Sequence, residues 1–95
     1  MSEYVIVRTE AAGVFAGTLE SRKKRKVTLS DVRRLWYWAG AATLSELAIS
    51  GPGKPNECKF PAPVTRITVL GAIEIIEVTA EAEAAIRAVP IWTAK

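Results

Sequence analysis

Tyr4 to Thr9 reads Y-V-I-V-R-T, a β-branched and aromatic run of strand length that sends Val5 and Val7 to one face and Ile6 to the other. Apolar residues on both faces predict a strand that is covered on both. Glu10 to Gly13 supplies a turn, and Val14 to Ser21 then alternates, with Phe15, Gly17 and Leu19 on one side, so a hairpin is expected. Gly17 in mid-strand marks a bend, a bulge or a close backbone approach. Five consecutive basic residues, Arg22, Lys23, Lys24, Arg25 and Lys26, read as the tip of a second hairpin before alternation resumes at Val27, Thr28 and Leu29. Ser30 and Asp31 signal a turn or bulge. Val32 to Trp38 then predicts a strand with Val32, Arg34, Trp36 and Trp38 on one face and Arg33, Leu35 and Tyr37 on the other.

The second half mixes helix and strand. Thr43, Leu44, Ser45 and Glu46 fit a capping box, in which the threonine accepts from the N3 amide and the glutamate reaches back to the cap. A short helix is expected there, with Leu44, Leu47 and Ala48 inward, because Gly51, Pro52, Gly53, Lys54 and Pro55 cannot continue it. Residues 51–63 hold four of the five prolines and read as an ordered loop or covering arm. Val64 to Leu70 and Ala72 to Val78 are β-branched segments broken at Gly71, which predicts a tight hairpin or one sharply bent strand. Thr79 caps a second helix over residues 80–88, with Glu81 and Glu83 favouring its positive end. Pro90 closes it, and Ile91 and Trp92 are apolar enough to dock on a neighbouring surface or subunit. The sum is an α+β, β-rich fold: a small bent-strand barrel or sandwich of five to six mainly antiparallel strands with two short helices.

Length and composition narrow the class. The 95 residues are read as one domain, 1–95, because a second core could not be closed from what remains after the first. A monomer of this size buries roughly 60 to 65% of its unfolded surface, and that thin core makes a homo-oligomer the expected state. Cys58 is alone and forms no internal disulfide, which fits a reducing compartment. The start of the chain has no basic n-region, and no apolar run reaches the roughly 18 residues of a membrane span. The expected location is the cytoplasm, with no membrane partner. Net charge is only +3, yet seven of the thirteen basic residues fall between Arg22 and Arg34, opposed by Asp31 alone. From Ile67 onward Glu74, Glu77, Glu81 and Glu83 reverse the balance. Such polarity steers an anionic ligand or draws subunits together head to tail.

The strand, hairpin, basic tip and V-T-L-S-D-V-R-R sequence resembles the strongly bent strands of small SH3-like or Sm-like barrels, where a glycine such as Gly17 in G-T-L permits the bend. R-R-L-W-Y-W-A-G-A-A-T-L-S-E-L-A, with the later A-I-E-I-I-E-V, resembles a family of small tailed-phage proteins of unknown function across nearly the whole chain. That likeness implies a viral origin and a host-cell setting, and carries over no catalytic residues. Phage proteins of this size often bind host proteins or sequester host signalling nucleotides.

Chemistry is limited by an absence, since a chain without histidine lacks the commonest general base and metal ligand. Cys58 would need a base, and Lys59 is the only local one; a structural thiol is the plainer reading. No glycine spacing matches a phosphate loop or dinucleotide fingerprint. A non-enzymatic protein with no cofactor and no metal is therefore expected. The candidate ligand site is Arg33, Arg34, Trp36, Tyr37 and Trp38, because tryptophan stacks on a base and arginine grips a phosphate through paired donors. A small nucleotide-like anion, sequestered in an anti-defence role, is the leading expectation. The same residues equally describe core or interface anchors, so a protein-protein module, a host-factor antagonist or minor assembly component using Trp36, Trp38 and Trp92, is the alternative. A third reading gives Arg22, Lys23, Lys24, Arg25 and Lys26 to phosphates of a nucleic acid.

Overall fold

In the computed structural model, which describes residues 3–93, the strands are β1 (Glu3–Thr9), β2 (Val14–Lys23), β3 (Lys26–Arg34), β4 (Val64–Val69) and β5 (Ala72–Glu77), and the helices are α1 (Leu44–Ser50) and α2 (Ala80–Arg87). All strand pairings are antiparallel, and the strands form one sheet in the order β4-β3-β2-β1-β5. The β-rich α+β class read from the sequence is the observed one, with five strands in a single sheet that is not closed into a barrel.

The sheet is nevertheless strongly curled. β4 and β5 lie at opposite edges although only Leu70 and Gly71 separate them in the chain. The expected hairpin is therefore not formed: the two segments pair with β3 and β1, not with each other. The curl is tied where the β2–β3 turn meets the start of β5. There the Ala72 amide donates to Arg25 O (3.1 Å) and Arg25 Nε donates to Ala72 O (3.3 Å). The Glu10 amide adds a bond to Gly71 O (3.2 Å).

The bend has a local cause. Between the pairs Ala16–Arg33 and Thr18–Ser30, Gly17 alone faces Asp31 and Val32, so β3 carries an extra residue. Asp31 takes a left-handed backbone conformation (φ 48°), which aspartate tolerates better than most residues. A Cβ on Gly17 would stand 2.8 Å from the Val32 Cβ. Only glycine admits this approach.

Curling gives two cores. Val5, Val7, Phe15, Val27, Leu29, Val32, Val69 and Ala72 fill the concave side. Tyr4, Ile6, Ala16 and Leu35 on the other side are covered by Leu47 and Ala48 of α1, Ile86 of α2, and Cys58 and Phe60 of the proline-rich arm. β1 feeds both, as its apolar residues on both faces required. Thr43 Oγ1 accepts from the Glu46 amide (3.1 Å), and Glu46 reaches back one residue further than anticipated, to the Ala42 amide (2.8 Å). Thr79 caps α2 through the Ala82 amide (3.1 Å) and donates to Ile49 O (2.7 Å), fastening the two helices together. A single 3₁₀ turn, Pro55–Glu57, was not anticipated. No helix is long and apolar enough to cross a membrane among the described residues.

The predicted strand from Val32 to Trp38 is cut short. β3 ends at Arg34, after which the Leu35 amide bonds to Val14 O (2.8 Å) and the chain leaves the sheet to pair Tyr37 with Lys59. The arm pairs in turn with the tail, Phe60 with Ile91, and the Trp92 amide donates to Phe60 O (3.0 Å). The tail thus docks on its own chain.

Candidate functional site

Because the strand ends early, the five residues expected to act together are dispersed. Arg33 is 3% exposed. Its guanidinium donates to Phe60 O (2.7 Å), Val89 O (2.8 Å), Pro61 O (3.0 Å) and Ile86 O (3.0 Å), joining the end of α2 to the arm. A cation at the end of α2 suits its terminal carbonyls. Burial presses this guanidinium below its ordinary pKa, with the neighbouring Tyr4 acting the other way. Its donors are spent on structure. Trp38 turns inward and packs against the helix-covered core. Trp36 and Tyr37 face solvent, 65% and 52% exposed. Lys59 Nζ lies 5.9 Å from the Tyr37 ring centroid and 5.7 Å from that of Trp92.

Arg34 differs from all of these. It pairs with Phe15 across β2 and β3, and its guanidinium carbon sits 4.6 Å from the Phe15 ring centroid. Nη1 donates to Ala12 O (2.8 Å) in the β1–β2 turn. That turn is fixed by Thr9, whose hydroxyl donates to Gly13 O (2.7 Å) and accepts from the Ala12 amide (2.9 Å). Arg34 is therefore held by a stack below and a carbonyl beside, with its remaining nitrogens unbonded among the described residues.

The guanidinium lines a cavity of about 510 Å³ at one open side of the curled sheet, a size usual for small-molecule sites. Phe15, Ile67, Val69 and Leu70 give it apolar walls, and Thr9, Thr68 and the edge of the β1–β2 turn give it polar ones. Glu10 also borders it, but its carboxylate is paired with Arg25 (3.1 Å). Among the described residues of this lining, Arg34 is thus the cation left for a ligand. The apolar wall was absent from the sequence reading: Phe15 was seen as a strand residue only, and Leu70 as the end of a strand.

The basic tip is also divided. Arg22 and Lys23 belong to β2 and Lys26 to β3, leaving Lys24 (φ 56°) and Arg25 as the turn itself. Arg25 is engaged with Glu10 and Ala72. Cys58 is buried, with Sγ 3.4 Å from the Ala39 amide nitrogen and 3.6 Å from Lys54 O. Its neighbour Lys59 points to the aromatic rings instead.

Fold and site together define a small α+β protein with one curled antiparallel sheet, a helical cover on its convex side and a half-apolar, singly cationic cavity on its concave side. The chain belongs to the family described as Domain of unknown function (DUF6948), which matches residues 2–86. No curated protein matches the chain, and no solved structure does.

Proposed function

We propose that this protein is a non-catalytic binding protein that holds a small anion with an aromatic or apolar body, nucleotide-like in chemistry, in the cavity beside Arg34. The observation that carries the reading is the Arg34 guanidinium, stacked 4.6 Å from the Phe15 centroid at the wall of a cavity otherwise dominated by Ile67, Val69 and Leu70. Stacking and the Ala12 bond fix the cation before any ligand arrives, so little ordering entropy opposes an anion that reaches it. The apolar walls suit a base or similar ring.

A chain with no histidine would retain such a molecule without converting it. In the phage setting that the resemblance implies, retention amounts to sequestration of a host signal in an anti-defence role in the host cytoplasm. The strand order and the bend at Gly17 support the likeness to small SH3-like or Sm-like barrels in an opened form. Homo-oligomers fit the outer edges of β4 and of β5 beyond Ala72, which pair with no further strand among the described residues.

Calorimetry against a panel of linear and cyclic nucleotides tests the reading. At least one should bind, and Arg34→Ala should weaken it by about 10- to 100-fold, the range of a hydrogen bond to a charged group. Silence across the panel would overturn the proposal.

A second reading has its own observation. Trp36 and Tyr37, 65% and 52% exposed, are bonded through their backbones to Lys59, whose ammonium lies near the Tyr37 and Trp92 rings. Aromatic residues so placed are typical anchors of protein interfaces. In that case Trp36→Ala abolishes capture of one dominant partner and Arg34→Ala leaves it intact.

A further inference from the structure

A second cavity, of about 620 Å³, opens where the far half of β2 passes over β5. Its axis follows from the register. Leu19 pairs with Glu3, and Val5 pairs with Glu77, so one end holds Leu19, Glu3 and Glu77. The other end is where Arg25 and Ala72 exchange their two hydrogen bonds. Between them Ile73 and Ile75 give an apolar floor, bordered by Glu74, whose carboxylate is paired with Arg8 (2.9 Å).

Three properties of this groove converge. First, β2 beyond Leu19 pairs with β3 on one side only among the described residues, and the backbone of Arg22 and Lys23 lies past the reach of β1 and presents an edge there. Such an edge is a template for an added strand. Second, the groove is electrically polar. Arg22 and Lys24, in no ion pair among the described residues, stand at the tied end, and Glu3 and Glu77 at the other. Third, the Arg25–Ala72 tie blocks the cationic end. A strand lying here must stop there, and a chain end that stops among cations is a carboxylate.

We propose that this groove binds the C-terminal segment of an extended peptide. Its terminal carboxylate meets Arg22 and Lys24, its apolar side chains rest on Ile73 and Ile75, and a basic residue lies near Glu3 and Glu77. β2 runs from Leu19 toward the tip, so the bound segment runs parallel to it. β5 is six residues long, about 20 Å at roughly 3.3 Å per residue, which accommodates five or six peptide residues. The lysines of this edge oppose self-pairing between copies and favour a partner bearing negative charge.

The test is fluorescence anisotropy with an N-terminally labelled pool of hexapeptides: Lys or Arg first, Val, Ile or Leu at the second, fourth and sixth positions, Ser or Thr between, and a free carboxylate. Saturable binding is expected, weakened at least about tenfold by amidating the C-terminus and by Arg22→Gln with Lys24→Gln. Both substitutions lie on exposed positions, and circular dichroism should show an unchanged fold. Arg34→Ala should leave peptide binding unchanged, which separates this site from the cavity proposed above. Failure of the pool to bind, equal binding of the amidated pool, or unaltered binding by the double variant would each overturn the proposal. So would binding of a labelled single-stranded oligouridine in place of peptide, which would make the tip a nucleic-acid contact.

Discussion

Arg34 and Phe15 are cross-strand partners whose side chains stack, guanidinium carbon to ring centroid, at 4.6 Å. The two contribute differently. Phe15 is 2% exposed and anchors the concave core, so Phe15→Ala should cost about 3 to 5 kcal/mol in denaturant unfolding. Arg34 is exposed, and Arg34→Ala should cost about 1 kcal/mol or less while weakening anion binding. A variant that binds more weakly and keeps its unfolding midpoint is the expected signature at Arg34.

Arg33, one residue earlier, should behave in the opposite way. Its replacement by alanine removes four hydrogen bonds and takes the side-chain donor from Val89 O and Pro61 O, whereas Phe60 O keeps the Trp92 amide and Ile86 O the Val89 amide, at a cost of about 2 to 4 kcal/mol. Arg33→Lys should recover only part of this, since one ammonium cannot reproduce the planar fork. Chemical denaturation measures both, and the folded fraction of either variant should bind the anion as the unaltered protein does.

Gly17 is the pivot of the curl. Gly17→Ala places a Cβ 2.8 Å from that of Val32, 3.0 Å from its Cα and 3.1 Å from Ser30 O, so β3 must retreat or the bend must open. A loss of about 1 to 3 kcal/mol is expected on thermal or denaturant unfolding.

Tyr4 supplies a pH dependence. Burial, ahead of the opposing Arg87 charge, raises its pKa from 10.0 to about 12. The folded state therefore holds the phenolic proton more tightly than the unfolded one. The stability it confers is fully present below pH 10 and declines between pH 10 and about 12, by up to roughly 1.4 kcal/mol per pH unit. Tyr4→Phe should abolish that decline. Because the hydroxyl is buried with no hydrogen-bond partner among the described residues, the same variant should be as stable as the parent, or more so, at pH 7.

Most of the fold was legible because local signals agreed. The two-faced apolar run of β1, the Thr43 and Thr79 caps, and the bend at Gly17 each specify a local geometry that the tertiary structure keeps. What failed was parity beyond Arg34. Alternation assigns faces only while a strand lasts, and nothing in L-W-Y-W announces that the chain leaves the sheet to pair Tyr37 with Lys59. Trp38 consequently turned inward and Trp36 outward, while Arg33, still within β3, keeps the face opposite Arg34 and is buried there by α2 and the arm. The segments flanking Gly71 were read as a tight hairpin or one sharply bent strand, and the hairpin fails because the curl sends them to opposite edges. Of the candidate site, Arg34 alone was legible. Its partners Phe15, Val69 and Leu70 come from three other parts of the chain and meet only through that curl.

The central claim, an anion held beside Arg34, is tested most directly by two-dimensional NMR during titration with the nucleotide that gives heat. The Arg34 Nε–Hε signal and the Val69 and Leu70 methyls should shift together and saturate, while the indole signals of Trp36 and Trp92 stay in place. Shifts confined to the Trp36 and Trp92 indoles, with Arg34, Val69 and Leu70 unmoved, would contradict it.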